Sequence, residues 1–264
     1  MIVVDDGSTD GTAEMIRDEF PAVHVVKGQG DLWWTGATNA GIKYVIENRT
    51  VGASDFILTL NNDLEVENNY LEILFHHSRI YRRALIGSVS VDINNTDRMN
   101  FCGVAWNAFT GNYRLKAKDY GCSYRKLTQT QNAVNSDLLS GRGTLIPKTV
   151  FDEIGFFDDV NFPQYAADED FSLRAKRQGW KLVVPANVYV KSHVAETGID
   201  AKNLRISLRN FKLILFSIKS PVNLKIRYRW AMKNTRLKVF YFLIDSAKIV
   251  LSVSFKMARQ RMRG

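Results

Sequence analysis

The sequence contains little cysteine. Its 264 residues include two, Cys102 and Cys122, which are too few and too far apart for a zinc cluster or a disulfide framework. This usage suits a reducing compartment. A metal ion bound by this chain would therefore need oxygen ligands rather than thiolates.

Long hydrophobic runs are also missing. The longest apolar stretch, residues 239–255, is interrupted by Asp245 and Lys248 and falls short of the roughly 20 residues that a spanning helix needs. Residues 1–6 contain neither the basic nor the apolar region of a secretory signal. We therefore expect a cytoplasmic protein that can lie on a membrane but does not cross it.

Two common phosphate-binding loops are absent. Gly28 and Gly30 are followed by Trp33, where the dinucleotide fingerprint needs its third glycine. The glycine-containing segment 141–144 lacks the Gly-Lys-Thr ending of a Walker loop. A nucleotide site in this chain would therefore have to be built in another way.

Charge is distributed unevenly along the chain. Residues 1–199 contain 20 Lys and Arg against 25 Asp and Glu, a net charge of −5, whereas residues 200–264 contain 16 against 2, a net charge of +14. Such a basic segment indicates an anionic surface, either a membrane or a nucleic acid. We predict a globular domain over residues 1–199 and a basic amphipathic helical tail over residues 200–264.

Strand and helix patterns alternate along the first part of the chain. Strands are predicted at residues 2–4, 23–26, 55–60, 181–184 and 187–191, and helices at residues 12–20, 36–48, 68–83, 147–154 and 168–178. Residues 28–35 are predicted to form a loop, and residues 84–145 short strands of an antiparallel extension. The alternation favours an α/β layer with a parallel sheet.

Polar residues follow two of the predicted strands. Asp5 and Asp6 end the first strand, and Asn61, Asn62 and Asp63 follow the strand at residues 55–60. Ligands of open α/β sheets bind beyond the carboxyl ends of the strands. A carboxylate there could accept hydrogen bonds from a nucleobase or ribose, or bind Mg²⁺ that bridges phosphates. Helix capping and a plain turn are the alternatives for these residues.

Five motifs stand in a fixed order. They are VVDDGSTDGT at residues 3–12, LWWTGATNAGI at 32–42, LNND at 60–63, GFFD at 155–158 and DEDFSLRA at 168–175. Over roughly residues 1–195 the chain resembles the family 2 glycosyltransferases, and its double tryptophan is similar to their bacterial rhamnosyltransferase-like members. The resemblance implies a GT-A fold, with a Rossmann-like, mostly parallel sheet flanked by helices.

The resemblance also implies a donor site for a nucleoside diphosphate sugar. Asp6 matches the aspartate that contacts the nucleobase, and Asp63 matches the metal-binding end of the D-x-D motif, where Asn61 replaces the first Asp. His193 matches a histidine that completes the metal site in several members, with Mg²⁺ or Mn²⁺ as the expected ion. The full set expected to bind the nucleotide sugar is Asp5, Asp6, Gly36, Asn39, Asn61, Asn62 and Asp63.

Alignment backwards from Arg174 places Asp168 on the family's catalytic base, with Asp170 as the runner-up. Backbone N–H groups at a helix start would keep the carboxylate ionised, while the acidic neighbours would raise its pKa. A helix N-cap is the alternative role for Asp168. The acceptor side is expected to include Trp34, Gly141, Arg142 and Gly143, although burial of the tryptophan and simple turns at the glycines are alternatives.

The resemblance carries one departure. Family members normally begin with another strand, which ends in a Pro-x-Tyr-Asn-like sequence, and Met1 directly precedes what resembles the second strand. We therefore expect the domain at residues 1–199 to lack the usual first strand. One hypothesis is inverting transfer of a sugar, with rhamnose as one candidate, to a glycan or lipid-linked saccharide in bacterial surface polysaccharide synthesis. The other is an inactive remnant that binds a nucleotide sugar or a glycan.

The basic tail indicates where in the cell the protein is located. Its cations alternate with apolar residues, as in Arg227, Arg229 and Trp230, which suits a helix at the boundary of an anionic membrane. We expect a peripheral position on the inner face of the cell membrane. Packing of a helical face on the catalytic domain is the alternative. Nucleic acid is not expected as a partner, because the remaining domain is acidic and carries no recognisable reading motif.

Overall fold

The computed structural model of the chain describes residues 1–193 and 208–261. Its strands are β1 (Ile2–Asp5), β2 (His24–Lys27), β3 (Phe56–Thr59), β4 (Leu64–Glu65), β5 (Ala84–Ile86), β6 (Val89–Asp92), β7 (Asn95–Phe101), β8 (Val104–Trp106), β9 (Tyr113–Leu115), β10 (Ala133–Asn135), β11 (Thr144–Pro147), β12 (Lys181–Pro185) and β13 (Tyr189–Ser192). Its helices are α1 (Thr12–Glu19), α2 (Trp33–Asn48), α3 (Tyr70–Ile80), α4 (Tyr124–Thr130), α5 (Lys148–Ile154), α6 (Ala167–Arg177), α7 (Leu208–Phe216), α8 (Leu224–Asn234) and α9 (Lys238–Arg261).

The central sheet has five strands in the order β10-β12-β5-β11-β3. Strand β12 pairs with β5 in parallel, whereas β11 runs antiparallel to both β5 and β3. The α/β class is confirmed, but this sheet is mixed rather than mostly parallel. Neighbouring parallel strands need a long crossover connection, which is usually a helix. The segment that leads into β11 is instead built mainly of short strands and turns, which allows β11 to run in the opposite direction.

Smaller sheets flank the central one. Strands β1 and β2 form a parallel pair, and β4, β13, β6 and β7 form a four-stranded sheet. The expected antiparallel extension is present in the pairs β6–β7 and β8–β9. Helix α4 lies in the same segment and was not predicted.

Helix α2 begins three residues earlier than the sequence predicted. Trp33 has a left-handed φ of 55° at the first position. The next backbone N–H groups find partners in segment 162–164: that of Trp34 donates to Gln164 Oε1 at 3.0 Å, and that of Thr35 to the Pro163 carbonyl at 3.0 Å. These long-range partners satisfy N–H groups that a helix start otherwise leaves unpaired, so residues predicted as loop form its first turn.

The main hydrophobic core extends into the C-terminal helices. Ile226, Trp230 and Ala231 of α8 and Tyr241 of α9 are buried in the same cluster as the sheet residues. The Trp230 ring lies edge-on to Trp106, with centroids 5.6 Å apart. Helix α8 therefore packs against the domain, which is the alternative role predicted for this part of the tail. The domain boundary predicted near residue 200 lies outside the described residues and stays a prediction.

None of the helices described at residues 1–193 and 208–261 is both long enough and apolar enough to span a bilayer.

Candidate active site

Asp168 lies in the first turn of α6, where two segments of the chain meet. Its Oδ2 accepts a hydrogen bond of 2.8 Å from the Gly141 backbone N–H, and its Oδ1 accepts one of 2.9 Å from the N–H of Glu169. Helix α6 begins at Ala167 and its N-cap is Ala166, with φ 69°. The N-cap alternative for Asp168 is therefore wrong.

Four residues that the sequence assigned to the site form a connected group, namely Asn61, Trp34, Gly141 and Asp168. The Trp34 indole Nε1 donates to Asn61 Oδ1 at 2.9 Å, and its ring lies against Gly141, where a Cβ would come within 2.6 Å of Cη2. Gly141 in turn donates to Asp168. We call this chain of contacts the Trp34 relay, and it links the end of β3 to the start of α6.

Burial perturbs two adjacent carboxyl groups at this helix start. It raises the pKa of Asp168, while the hydrogen bonds from Gly141 and Glu169 oppose the rise. Burial and the neighbouring charge of Asp168 raise the pKa of Glu169 to about 7, against a hydrogen bond of 2.8 Å from the Tyr113 hydroxyl and the charge of Arg227. Two titrating carboxyls therefore share the site.

Glu169 is a functional candidate that the sequence motifs indicate only as a neighbour of Asp168. Its hydroxyl partner, Tyr113, is 56 residues away in β9. The run of three acids at the helix start was a usable signal, because like charges in one turn raise each other's pKa. The contribution of Tyr113 and of burial could not be read from the local sequence.

We expect Glu169→Gln to change how stability depends on pH. A carboxyl whose pKa is raised by folding loses its proton first in the unfolded chain, so the folded state loses stability as the pH rises from about 4.5 to about 7. The substitution should flatten this decline, leaving the part due to Asp168. Urea denaturation on either side of that window measures it, and an unchanged slope would contradict the Glu169 assignment.

Asp170, the runner-up for the catalytic base, has a different environment. Its carboxylate is fully buried and binds Arg174 Nε at 2.9 Å, Lys233 Nζ at 2.9 Å and Asn234 Nδ2 at 3.0 Å. These partners fasten α8 to α6. The structure therefore places Asp170 in the interior as an anchor, and we keep Asp168 as the candidate base.

Removal of this anchor should destabilise the fold. Asp170→Ala leaves the Arg174 and Lys233 cations without their buried partner, and breaking such a pair typically costs about 3 kcal/mol or more. The free energy of unfolding in urea measures the loss. Asp152→Ala is a matched control, because its pair with Lys148 lies on an exposed helix face and should contribute less than about 1 kcal/mol.

Asp5 and Asp6 stabilise the turn and the loop that follow β1 and β2. Asp5 Oδ1 accepts the Ser8 N–H at 2.9 Å, and hydrogen bonds from Ser8 lower the pKa of Asp5. Asp6 accepts the N–H groups of Gly30 at 2.7 Å and Leu32 at 2.8 Å. Asp5 thus supports its own turn, whereas Asp6 holds the loop that leads into α2. Nucleobase contact by Asp6 stays a prediction.

Three other predicted site residues belong to the surrounding scaffold. Asn39 is buried, and its amide binds both the N–H and the carbonyl of Phe157. Gly36 is buried inside α2, where a Cβ would meet Leu32. Gly143 has φ +76°, and a Cβ there would lie 2.9 Å from Ser88 Oγ, so glycine is needed for close packing of the loop on the sheet. These contacts of the three residues are with the scaffold and not with the Trp34 relay.

Arg142 lies in the same loop as Gly141. Its charge lies near enough to Asp168 to favour the ionised carboxylate. The backbone N–H of Arg142 donates to Ser140 Oγ at 3.3 Å, which helps to fix the loop. The cation is therefore placed beside the candidate base, where it also suits an anionic substrate.

Asp63 and His193 lie just beyond the paired ends of β4 and β13. Strands β4 and β13 pair antiparallel, with Leu64 opposite Ser192, so one further step of the register sets Asp63 opposite His193. Asp63 Oδ1 is buried and lacks a hydrogen-bond partner, as expected of an atom whose partner is an ion. Exposed Asn62 adjoins it. Within the described residues no group of three or more acidic, His or Cys side chains could hold a metal, so water and donor oxygens would complete the coordination.

Comparisons with known proteins indicate the family and the fold that this chain resembles. Residues 1–131 match the family described as Glycosyl transferase family 2. The dTDP-rhamnosyl transferase RfbF of Shigella flexneri is 21% identical over 252 residues, which cover 96% of this chain and 76% of that protein. A crystal structure of GalNAc-T7 with UDP, GalNAc and Mn2+ is similar, with a TM-score of 0.53 and 16% identity over 72% of this chain and 37% of that chain. The structural similarity confirms the GT-A fold class.

Proposed function

We propose that this chain, whose residues 1–131 match glycosyl transferase family 2, transfers a sugar from a nucleoside diphosphate donor to a saccharide hydroxyl with inversion. The observation that carries the proposal is the Trp34 relay, which joins the end of a sheet strand to a half-buried carboxylate at a helix start. Such a carboxylate can act as a general base beside a donor held at the strand ends.

The proposed reaction is a single displacement. The acceptor oxygen forms a bond to the anomeric carbon while the bond from that carbon to the diphosphate oxygen breaks. Asp168 takes the proton of the attacking hydroxyl, and the nucleoside diphosphate leaves with the electron pair. The N–H groups of Gly141 and Glu169 hold the two carboxylate oxygens in place, which orients the base.

A divalent ion is part of the proposal. When bound, Mg²⁺ or Mn²⁺ stabilises negative charge on the departing diphosphate. Asp63 and His193 are the residues that would hold it, as supported by the unpaired Asp63 oxygen and the register of β4 and β13.

The metal ligand can be tested by donor binding. Asp63→Ala should weaken Mn²⁺-dependent binding of dTDP by at least about tenfold, since metal-site residues commonly carry effects of this size. Isothermal titration with and without Mn²⁺ measures it. Asn68→Ala is the control, because that side chain is exposed, lies five positions farther along the chain and is not among the residues expected to bind the donor, so binding should stay unchanged. Equal Mn²⁺ dependence in both variants would remove Asp63 from the site.

We further propose dTDP-rhamnose as the donor and a glycan or lipid-linked saccharide of surface polysaccharide synthesis as the acceptor. The donor is inferred from the activity by which the Shigella flexneri relative is named. The cationic C-terminal helices support a peripheral position on the cytoplasmic face of the cell membrane.

A direct assay tests this function. The full chain is incubated with dTDP-rhamnose, Mg²⁺ and a lipid extract that contains saccharide acceptors, and dTDP release is followed by chromatography. The anomeric configuration of the product is read by NMR and should be inverted. Donor binding without acceptor-dependent dTDP release would instead support the binding remnant.

A further inference from the structure

Helix α9 is apolar on a side that faces solvent. Its inward face, with Tyr241, Ile249 and Val253, is buried. Large apolar side chains nevertheless recur on the exposed side, with exposed fractions of 60% for Phe240, 58% for Leu243, 37% for Ile244, 69% for Leu251 and 72% for Phe255. Their helical spacing puts them on one stripe, which we call the α9 face. A continuous exposed apolar surface of this kind marks an interaction site.

The surroundings of the α9 face are positively charged. Among residues 208–261 the only acidic residue is Asp245, and it is paired with Arg227 at 3.0 Å with little exposure. Lys248 is exposed and borders the stripe, and Lys238 is exposed at the first position of α9. An apolar stripe beside cations, with its single acid neutralised, is complementary to a surface of acyl chains and anionic phosphates.

We propose that the α9 face docks on an anionic lipid bilayer, with the apolar stripe at the headgroup boundary and the cations on lipid phosphates. A second copy of this chain is a poorer occupant, because a two-fold contact brings the same patch onto itself and would oppose its cations to one another. The lipid surface satisfies both the apolar and the charged parts of the face.

The hairpin formed by β8 and β9 connects the beginning of α9 to the candidate base. Arg236 stacks on the half-exposed ring of Phe109 at 5.0 Å, and a Cβ at Gly111 would lie 2.8 Å from the Tyr241 ring. The same hairpin carries Tyr113, which donates to Glu169 beside Asp168. Docking at α9 would thus hold the acceptor side of the site near the bilayer. On the basis of the proposed function, the acceptor class is then a saccharide linked to a membrane lipid.

Vesicle flotation of the full chain tests the docking surface. Vesicles of phosphatidylcholine with and without phosphatidylglycerol serve as probes, at low and high salt. The wild type should bind the anionic vesicles, and this binding should weaken as the salt concentration rises. Leu251→Glu combined with Phe255→Glu should reduce binding at least about tenfold, because two apolar contacts are lost and two like charges face the lipid phosphates. Leu71→Glu, on the similarly exposed surface of α3, is the matched control and should bind as the wild type does.

Two results would overturn the proposal. One is equal flotation of the doubly substituted chain and the wild type. The other is a dimer in light scattering that dissociates on the same substitutions, which would identify a second copy as the occupant. Titration with dTDP shows that the variant is folded and has kept its donor site. Vesicle binding without any sugar transfer would refute the proposed function while leaving the docking surface in place.

Discussion

Asp168→Asn should lower turnover by about 10² or more while dTDP binding stays nearly unchanged. The carboxamide keeps the shape of the side chain and can still accept one of the two N–H groups from Gly141 and Glu169. It cannot take the proton of the acceptor hydroxyl, and loss of general-base catalysis typically costs this factor. Because the base acts in the transition state, kcat and kcat/KM should fall together.

Two further variants make this result specific. Asp170→Asn should mainly lower the free energy of unfolding, since that carboxylate anchors Lys233 and Asn234. Glu169→Gln should keep most of the turnover and change its pH dependence. If Asp170→Asn abolished transfer in a folded protein while Asp168→Asn retained it, the base would be Asp170 and the assignment of Asp168 would be wrong.

Gly141→Ala should reduce turnover by at least about tenfold, although it adds a single methyl group. The new Cβ would lie 2.6 Å from Cη2 of Trp34, so either the ring or the loop must move. A shifted loop carries with it the N–H that orients Asp168, and misplacement of a catalytic group by about 1 Å can cost 10²-fold. Steady-state kinetics measures the effect.

A matched pair of variants separates this cause from general glycine effects. Gly52→Ala adds the same methyl where the nearest atom is 3.7 Å away, and it should be silent. Combining Gly141→Ala with Trp34→Phe makes room for the methyl and should recover part of the activity relative to Gly141→Ala alone. Strictly additive losses would show that the two residues do not act through their contact.

The alternation of strands and helices over residues 2–83 was predictable because each element carries its own apolar period. The helices at residues 147–154 and 168–178 were predictable for the same reason, and each is confirmed within a few residues. The beginning of α2 was not predictable, because its first N–H groups bind a segment some 130 positions away. The local sequence around Trp33 contains no trace of that partner.

The candidate site was predictable in parts. Asn61, Trp34, Gly141 and Asp168 were each named by motif, and the structure joins them through contacts that no motif specifies. Other members of the same motifs make bracing contacts, and their assignment to the site stays a prediction, because the resemblance does not distinguish a residue that lines a site from one that braces it. The Asn39 amide, used entirely within segment 157–159, is the clearest case.

The prediction for the C-terminal helices rested on their charge and on the alternation of cations with apolar residues, and neither says which face is covered. Helix α8 is rich in cations, yet Arg229 donates to the Val160 carbonyl at 2.9 Å and Trp230 is buried. Helix α9 keeps its apolar stripe exposed. The same basic, amphipathic pattern therefore serves two different purposes in adjacent helices, and only three-dimensional packing separates them.

The anchor at Asp170 has a consequence during protein synthesis. A nascent chain emerges from its N-terminus, so α6 leaves the ribosome well before Lys233 and Asn234 do. Until those residues emerge, the Asp170 carboxylate lacks two of its three partners and the surface that Trp230 later covers remains open to water. Translation of α8 therefore supplies these missing contacts, and a pause before it would prolong the exposure of this surface to chaperones and proteases.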